Sequence, residues 1–421
     1  MKRLLYMMTL AGLLVFGSPV AVAEEAIAKN GETIAENRDS AADTGIRTTF
    51  SDVPEGHWAA SAVQTAVEKG YVSGYPDGTF RPNQSVTRAE FIRMLADALK
   101  LPHSQGGSPW YQPYVAVLLE VGILDKSDFS DYQVPISRLE IMRLVSRGLA
   151  QEERYQPYVE AFSGLYNGDL PFTDFREMKE ADLPHIALAY GTGIMNGYPD
   201  ASIGLSKTAT RAESVVMIES FLKARIAHPQ RMQRLQELKE VAETGTNVHT
   251  VSNLELLTEI DPEKIVIEHG LFTARLKRLF VLPLKGDIAS IYERKFIWDR
   301  ELLPEHWFSQ HNIEGLVMGV LDLTPKRDFE LSPISMPTYL SPGADVLHEE
   351  ASKRYGYVKT YQYDPKDRQL AKGLTYEVVI GGHYKDNIRI IHEKYLSLKT
   401  NGTSNGNFYR LLSNPDAVEA E

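Results

Sequence analysis

Apolar residues recur at helical spacing through the first half of the chain and give way to β-branched and aromatic runs in the second. Between Trp58 and Gly70 the positions Ala62, Val63, Ala66 and Val67 share one face, and Gly70 is placed to end the helix they predict. A second helix is predicted from Arg88, burying Phe91, Met94, Leu95, Ala98 and Leu99 along one stripe. The plan returns over residues 172–222, where Met217, Ile218, Phe221 and Leu222 fall on the matching positions and only Ser214 breaks the pattern. A further copy lies between them. Tyr114, Val117, Leu118 and Val121 line its first helix, Gly122 stops it, and Ile141, Leu144, Val145 and Leu149 line its second. Three helix-loop-helix units that each expose an apolar face need one another, which predicts a single all-α bundle of pseudo-threefold symmetry.

Past Pro229, Met232, Leu235, Leu238 and Val241 among polar neighbours predict a helical connector over 229–244. The texture then changes. Runs at 264–268, 271–282, 316–323, 355–363 and 374–380 predict a mostly β or α+β domain from 245 to 412, followed by an acidic tail over 413–421.

Each second helix opens on one tetrad: Thr87-Arg88-Ala89-Glu90, Ser137-Arg138-Leu139-Glu140 and Thr210-Arg211-Ala212-Glu213. The hydroxyl residue and the glutamate form a capping box, so helix chemistry explains two of the four positions. It does not explain the arginine. A cation in the first turn opposes the positive end of the helix dipole, and three of them beside backbone N–H groups suit an anionic ligand. The plainer alternative is a solvated arginine on each helix start.

Composition narrows the field. A formal charge of -11 argues against a nucleic-acid or anionic-membrane partner for the chain as a whole. With no cysteine among 421 residues, disulfides, thiolate catalysis and sulfur-ligated metals are excluded. Lys2 and Arg3, the apolar run from Leu4 to Phe16 and Ala21-Val22-Ala23 read as a secretory signal over 1–23. Residues 24–48, poor in large apolar side chains, are expected to form a flexible spacer. No stretch is long and apolar enough to predict a membrane span.

Phe50-Ser51-Asp52, Trp58, the loop Gly74-Tyr75-Pro76-Asp77-Gly78-Thr79-Phe80-Arg81-Pro82 and the first tetrad resemble an S-layer homology (SLH) domain over 49–101. Phe172-Thr173-Asp174, Gly197-Tyr198-Pro199-Asp200 and the third tetrad resemble another over 171–225. The copy at 108–150 departs, with Ser-Arg-Leu-Glu for the tetrad and no glycine loop. The resemblance implies a trimer of repeats that binds secondary cell-wall polymer carrying pyruvylated N-acetylmannosamine in grooves between adjacent prongs. Carried onto this sequence, it gives Arg88, Arg138 and Arg211 to the ligand carboxylate, and Asp52 and Asp174 to sugar hydroxyls or the amide. It gives Gly74 and Gly197 to close backbone approach, and Trp58 or Trp110 to an apolar wall. Ordinary alternatives stand beside these: Trp58 as core, and Asp52 as a cap of the following helix.

The second half offers weaker chemistry. Glu305, His306 and His311 cluster without the spacing of a zinc-protease helix, and Asp299, Glu301 and Glu305 supply carboxylates that a mixed-charge loop explains equally. Tyr355, Tyr357, Tyr361 and Tyr363, with Lys359 among them, share one face of an expected strand, either a sugar-stacking platform or sheet packing. No nucleophile elbow, phosphate loop or dinucleotide fingerprint occurs.

The reading is therefore an exported, non-enzymatic protein anchored to the wall at the cell surface, without cofactor or metal, with surface-layer proteins as further partners. Its C-terminal domain is expected to be a structural or binding module. The alternatives are a wall-tethered enzyme, such as an envelope glycan hydrolase with its site in 245–412, and a protein-interaction unit with no sugar ligand.

Overall fold

The computed structural model describes residues 49–104, 106–297, 313–330, 338–341, 353–355, 357, 369–385, 395–400 and 408–413. The expected leader, the spacer and the tail beyond Ser413 lie outside them, as do Asp299, Glu301, Glu305, His306, His311, Lys359, Tyr361 and Tyr363.

The first unit contributes α1 (Ala60–Glu68) and α2 (Arg88–Ala98), and the second α3 (Gln112–Glu120) and α4 (Arg138–Ala150). The third contributes α6 (Leu183–Gly191) and α7 (Arg211–Ile226), after an inserted α5 (Gln156–Phe162). All three tetrads close capping boxes, so Thr87, Ser137 and Thr210 fix where α2, α4 and α7 begin. The predicted stripe is internal: Phe91, Met94, Leu95, Met217, Ile218 and Phe221 are buried, with Ala98, Leu99 and Leu222 packed at its margin.

The segments just ahead of these helices join the units. Val86 N–H donates to Ala209 O (3.1 Å), Ala209 N–H to Ile136 O (3.0 Å), and Ile136 N–H to Val86 O (2.9 Å), closing a ring. All three side chains are buried, so the ring satisfies main-chain groups that a core would otherwise leave unpaired.

After α7 the connector helix α8 (Gln233–Thr244) ends on Gly245, whose φ of 74° is left-handed. A short α9 (Val248–Val251) follows. One antiparallel sheet runs β2 (Val266–Glu268), β3 (Phe272–Pro283), β4 (Ile313–Pro325), β8 (Tyr376–Lys385). A second runs β1 (Glu255–Leu256), β10 (Phe408–Ser413), β9 (Tyr395–Thr400), β6 (Thr338–Ser341), and β5 (Phe329–Glu330) pairs with β7 (Gln369–Leu370). A helical turn, α10 (Glu293–Phe296), follows β3. Four of the expected strands thus form; the fifth does not begin at Tyr355, because residues 353–355 are helical and the Tyr355 hydroxyl donates to Pro171 O (3.0 Å).

The change from helices to strands near residue 245 is not a break in packing. Strand alternation gives the β2-β3-β4-β8 sheet two apolar faces. Leu279, Val281, Val317, Leu321, Val378 and Ile380 belong to the core between the strands. Phe280, Leu282, Leu316, Met318, Val320 and Val379 belong to the core that the helices share. A β-bulge at Lys277, between the pairs Leu276–Leu321 and Arg278–Val320, shifts the phase and turns Arg278 toward the helices. Along the unpaired edge of β3, Asn247 does the work of a missing strand: its amide accepts from Val281 N–H (2.7 Å) and donates to Val281 O (3.0 Å).

Candidate functional site

Each tetrad arginine crosses to the next unit, and the three junctions differ. Arg88 donates through Nη1 to Asp131 O (2.8 Å) and through Nη2 to the carboxylate of Glu140, over the Phe129 ring. Arg138 is 5% exposed; its Nε and Nη2 donate to Ile203 O (2.9 Å) and Asn196 O (2.6 Å), and its Nη1 lies 3.9 Å from Glu213. Arg211 donates to Phe80 O (3.0 Å) and Ser73 O (2.6 Å), and among the described residues no carboxylate lies within ion-pair distance of it. Burial lowers the pKa of Arg138 and Arg211, against the opposing pull of Glu213 and Asp174 on the first and of Glu90 on the second.

The helix starts themselves are not open, and this corrects the sequence argument. The first two N–H groups of α2 donate to Val134 O (3.0 Å) and Tyr132 O (2.9 Å), those of α4 to Lys207 O (2.9 Å) and Leu205 O (3.1 Å), and those of α7 to Gln84 O (2.8 Å) and Pro82 O (3.0 Å). Carbonyls of the neighbouring unit supply the acceptors that the tetrad pattern assigned to a ligand.

A cleft lies in the first unit, beside the point where Arg211 of the third unit reaches it. A cavity of about 430 Å³ is lined by Phe50, Val67, Val72, Ser73, Tyr75 and Pro76, with Gly70 and Gly74. Arg211 holds the Ser73 carbonyl, and Arg81 and Arg211 lie 3.8 and 5.4 Å from the centre of the Tyr75 ring. Tyr75, Ser73 and Arg81 were not singled out from sequence as contacts. The signal that could have found them is the loop from Gly74 to Arg81, whose turns bring its tyrosine and arginine together.

The remaining expected residues face several ways. Asp52 accepts from the N–H groups of Phe80 and Arg81 (both 2.8 Å), and Asp174 from those of Ile203 (3.0 Å) and Gly204 (2.8 Å), so both carboxylates brace loops. A Cβ on Gly74 would lie 2.1 Å from the Phe50 ring, and one on Gly197 3.0 Å from Ser202 O; internal packing already demands both glycines. Trp58 and Trp110 are 63% and 43% exposed, which sets aside the core reading of Trp58. Trp110 packs edge-on to Tyr111 and Tyr114.

Ser146 Oγ lies 2.5 Å from His185 Nδ1, a pair reminiscent of a nucleophile and its base. The serine is 2% exposed between α4 and α6, and Asp182 is held by Arg143 (2.7 Å), so the pair is a helix clasp. Among the described residues no cluster of three His, Asp or Glu side chains could hold a metal ion, and no helix is long and apolar enough to cross a membrane.

Residues 49–92 and 171–213, the first and third units, match the family model of the S-layer homology domain. The chain is 28% identical over 178 residues to the S-layer protein sap of Bacillus anthracis, covering 40% of this chain and 21% of that protein. It is 34% identical over 115 residues to a cellulosome-anchoring protein of Acetivibrio thermocellus, covering 24% and 26%. It is 40% identical over 80 residues to the outer membrane protein SlpA of Thermus thermophilus, covering 18% and 9%. The match thus takes in no more than 26% of any of these three relatives.

Proposed function

We propose that the SLH domains which this chain carries at 49–92 and 171–213 hold it to an acidic wall glycan, and that the ligand binds at the junction of the third and first units. The chain is an exported surface protein, in keeping with its S-layer relatives. The observation that carries the ligand reading is Arg211. Two carbonyls orient its guanidinium without neutralising it, the charge of Glu90 reaches it only from beyond ion-pair distance, and the loop it grips borders the cleft. A ketal-linked pyruvate on an amino sugar presents one permanent carboxylate, which a guanidinium can take while the ring leans on an aromatic face such as Tyr75 or exposed Trp58. Arg88 has its counter-charge in Glu140 and makes a poorer ligand group. Asp52 and Asp174 shape the loops, and the units together form one body of pseudo-threefold symmetry about the ring of Val86, Ile136 and Ala209. The C-terminal sheets are the structural or binding module so displayed, with other surface-layer proteins as neighbours.

The test is co-sedimentation with purified sacculi. The wild-type chain pellets, Arg211→Ala stays in the supernatant with unchanged helical circular dichroism, and sacculi stripped of secondary polymer capture neither. Undiminished pelleting on stripped sacculi would defeat the carbohydrate reading in favour of a protein-interaction unit.

A further inference from the structure

The first and third units share a loop at a constant offset, so Ser73 to Pro76 correspond to Asn196 to Pro199, and Val67 corresponds to Tyr190. In the first unit this loop borders the cleft. In the third, the corresponding loop is packed against and covered by other elements. Tyr190 puts a ring where Val67 leaves space, edge-on to Phe172 at 4.8 Å. Arg234 of the connector helix lies over Tyr190 and donates to Asn196 Oδ1 (2.7 Å). Arg294 of α10 donates to Pro199 O (2.9 Å). Arg138, the counterpart of Arg211, is left 5% exposed beneath this cover.

The cover is fastened by the segment inserted between the second and third units. Asp169, fully buried, takes a two-point ion pair from Arg278 (2.6 and 2.8 Å). The bulge places Lys277 and Arg278 over the ring of Tyr166, at 3.9 and 4.5 Å. Tyr292 donates to Asp169 O (2.8 Å), and the buried Lys295 donates to Gly168 O.

We infer that the C-terminal domain and connector act as a built-in plug on the second sugar cleft, so that each chain engages a single glycan terminus, at the Arg211 junction. This rests on the ligand reading above and adds a valence to it. Two grooves on one body would hold a polymer by avidity; one groove leaves attachment to the affinity of a single site and to the density of neighbouring chains.

Titration calorimetry of the full chain with pyruvylated N-acetylmannosamine tests it. The wild type takes up one equivalent, and Arg211→Ala takes up none. Combining Tyr190→Val, Arg234→Ala and Arg294→Ala opens the covered cleft and raises uptake to two equivalents; adding Arg211→Ala returns it to one. Two equivalents in the wild type, binding that survives Arg211→Ala alone, or a folded opened variant that stays at one would each overturn the plug while leaving glycan binding intact. Absence of binding by every form would instead sink the reading on which the plug rests. The Arg211→Ala result does not require the opened variant to fold.

Discussion

Glu237 is the most informative residue to change, because its cost and its purpose can both be read from its surroundings. It lies fully buried on α8, where its carboxyl accepts from Asn247 Nδ2 (2.7 Å), Ser290 Oγ (2.5 Å) and Ile291 N–H (3.1 Å). Among the described residues no cation pairs with it. Desolvation outweighs the three donors, the nearby Glu240 adds repulsion, and the pKa is pushed up from 4.5 to about 7. The fold therefore prefers the neutral acid. Between about pH 4.5 and about pH 7 the native state holds a proton that the unfolded chain has released, so stability falls as pH rises through that window and is level on either side. At ~1.4 kcal/mol per tenfold change in binding, the loss comes to about 3 kcal/mol.

Glu237→Gln keeps the shape and removes the titration. It also turns an amide N–H toward a donor, Ile291 N–H or the Asn247–Ser290 pair, at a cost of about 1–3 kcal/mol. The variant should be less stable than wild type near pH 4.5 and close to it, or above it, near pH 7. Urea unfolding of both proteins across that range gives the comparison, and subtracting one from the other cancels every group they share. A difference that stays constant with pH would mean that Glu237 is ionised throughout, and that three hydrogen bonds suffice to hold a buried carboxylate; the desolvation argument would then be refuted.

Three further outcomes follow from single contacts. Arg278→Ala strands the buried Asp169 and should cost about 3–5 kcal/mol, read as a lowered unfolding temperature, whereas Asp169→Asn with Arg278→Met should recover much of it. Ala201 sits at φ 60° where the first unit has Gly78 at φ 84°, so Ala201→Gly should stabilise the chain by about 1 kcal/mol in the same measurement. Burial lowers the pKa of Lys295 from 10.5 to about 8, so the unfolded chain keeps its proton longer; stability should rise as pH climbs between those values, and Lys295→Met should flatten that rise.

What the sequence disclosed is what short-range physics decides. The stripes of Phe91, Met94, Leu95 and of Met217, Ile218, Phe221 follow helical periodicity, and the capping boxes at Thr87, Ser137 and Thr210 need only residues three apart. The long strands β3, β4 and β8 announce themselves by composition. An arginine is an odd residue for a helix start, and the partners of these three come from other units: Glu140 for Arg88, Ile203 O and Asn196 O for Arg138, Phe80 O and Ser73 O for Arg211. No local pattern carries that information. The bulge at Lys277 was equally hidden, since Leu276-Lys277-Arg278-Leu279 reads as regular strand until its partner is known. Tyr190 was within reach, because the constant offset that aligned the two loops already set it against Val67.

The expected division into anchor and cargo is where local reading and packing part company most sharply. A cargo on a tether would have its own closed core and a polar face toward the anchor. Here the sheet turns Phe280, Leu282, Leu316, Met318 and Val320 into the core of the helices, and the insert before the third unit enters from the other side with Tyr166 and Asp169. An ion pair this deep stabilises little against an apolar pair of equal shape, but breaking it is costly, so it selects one docking register over its neighbours. The register matters because α10 and α8 bring Arg294 and Arg234 to the Pro199 and Asn196 loop only when the sheet is seated there. The buried charges that look wasteful as a source of stability are thus well placed to decide which of the two corresponding loops is covered.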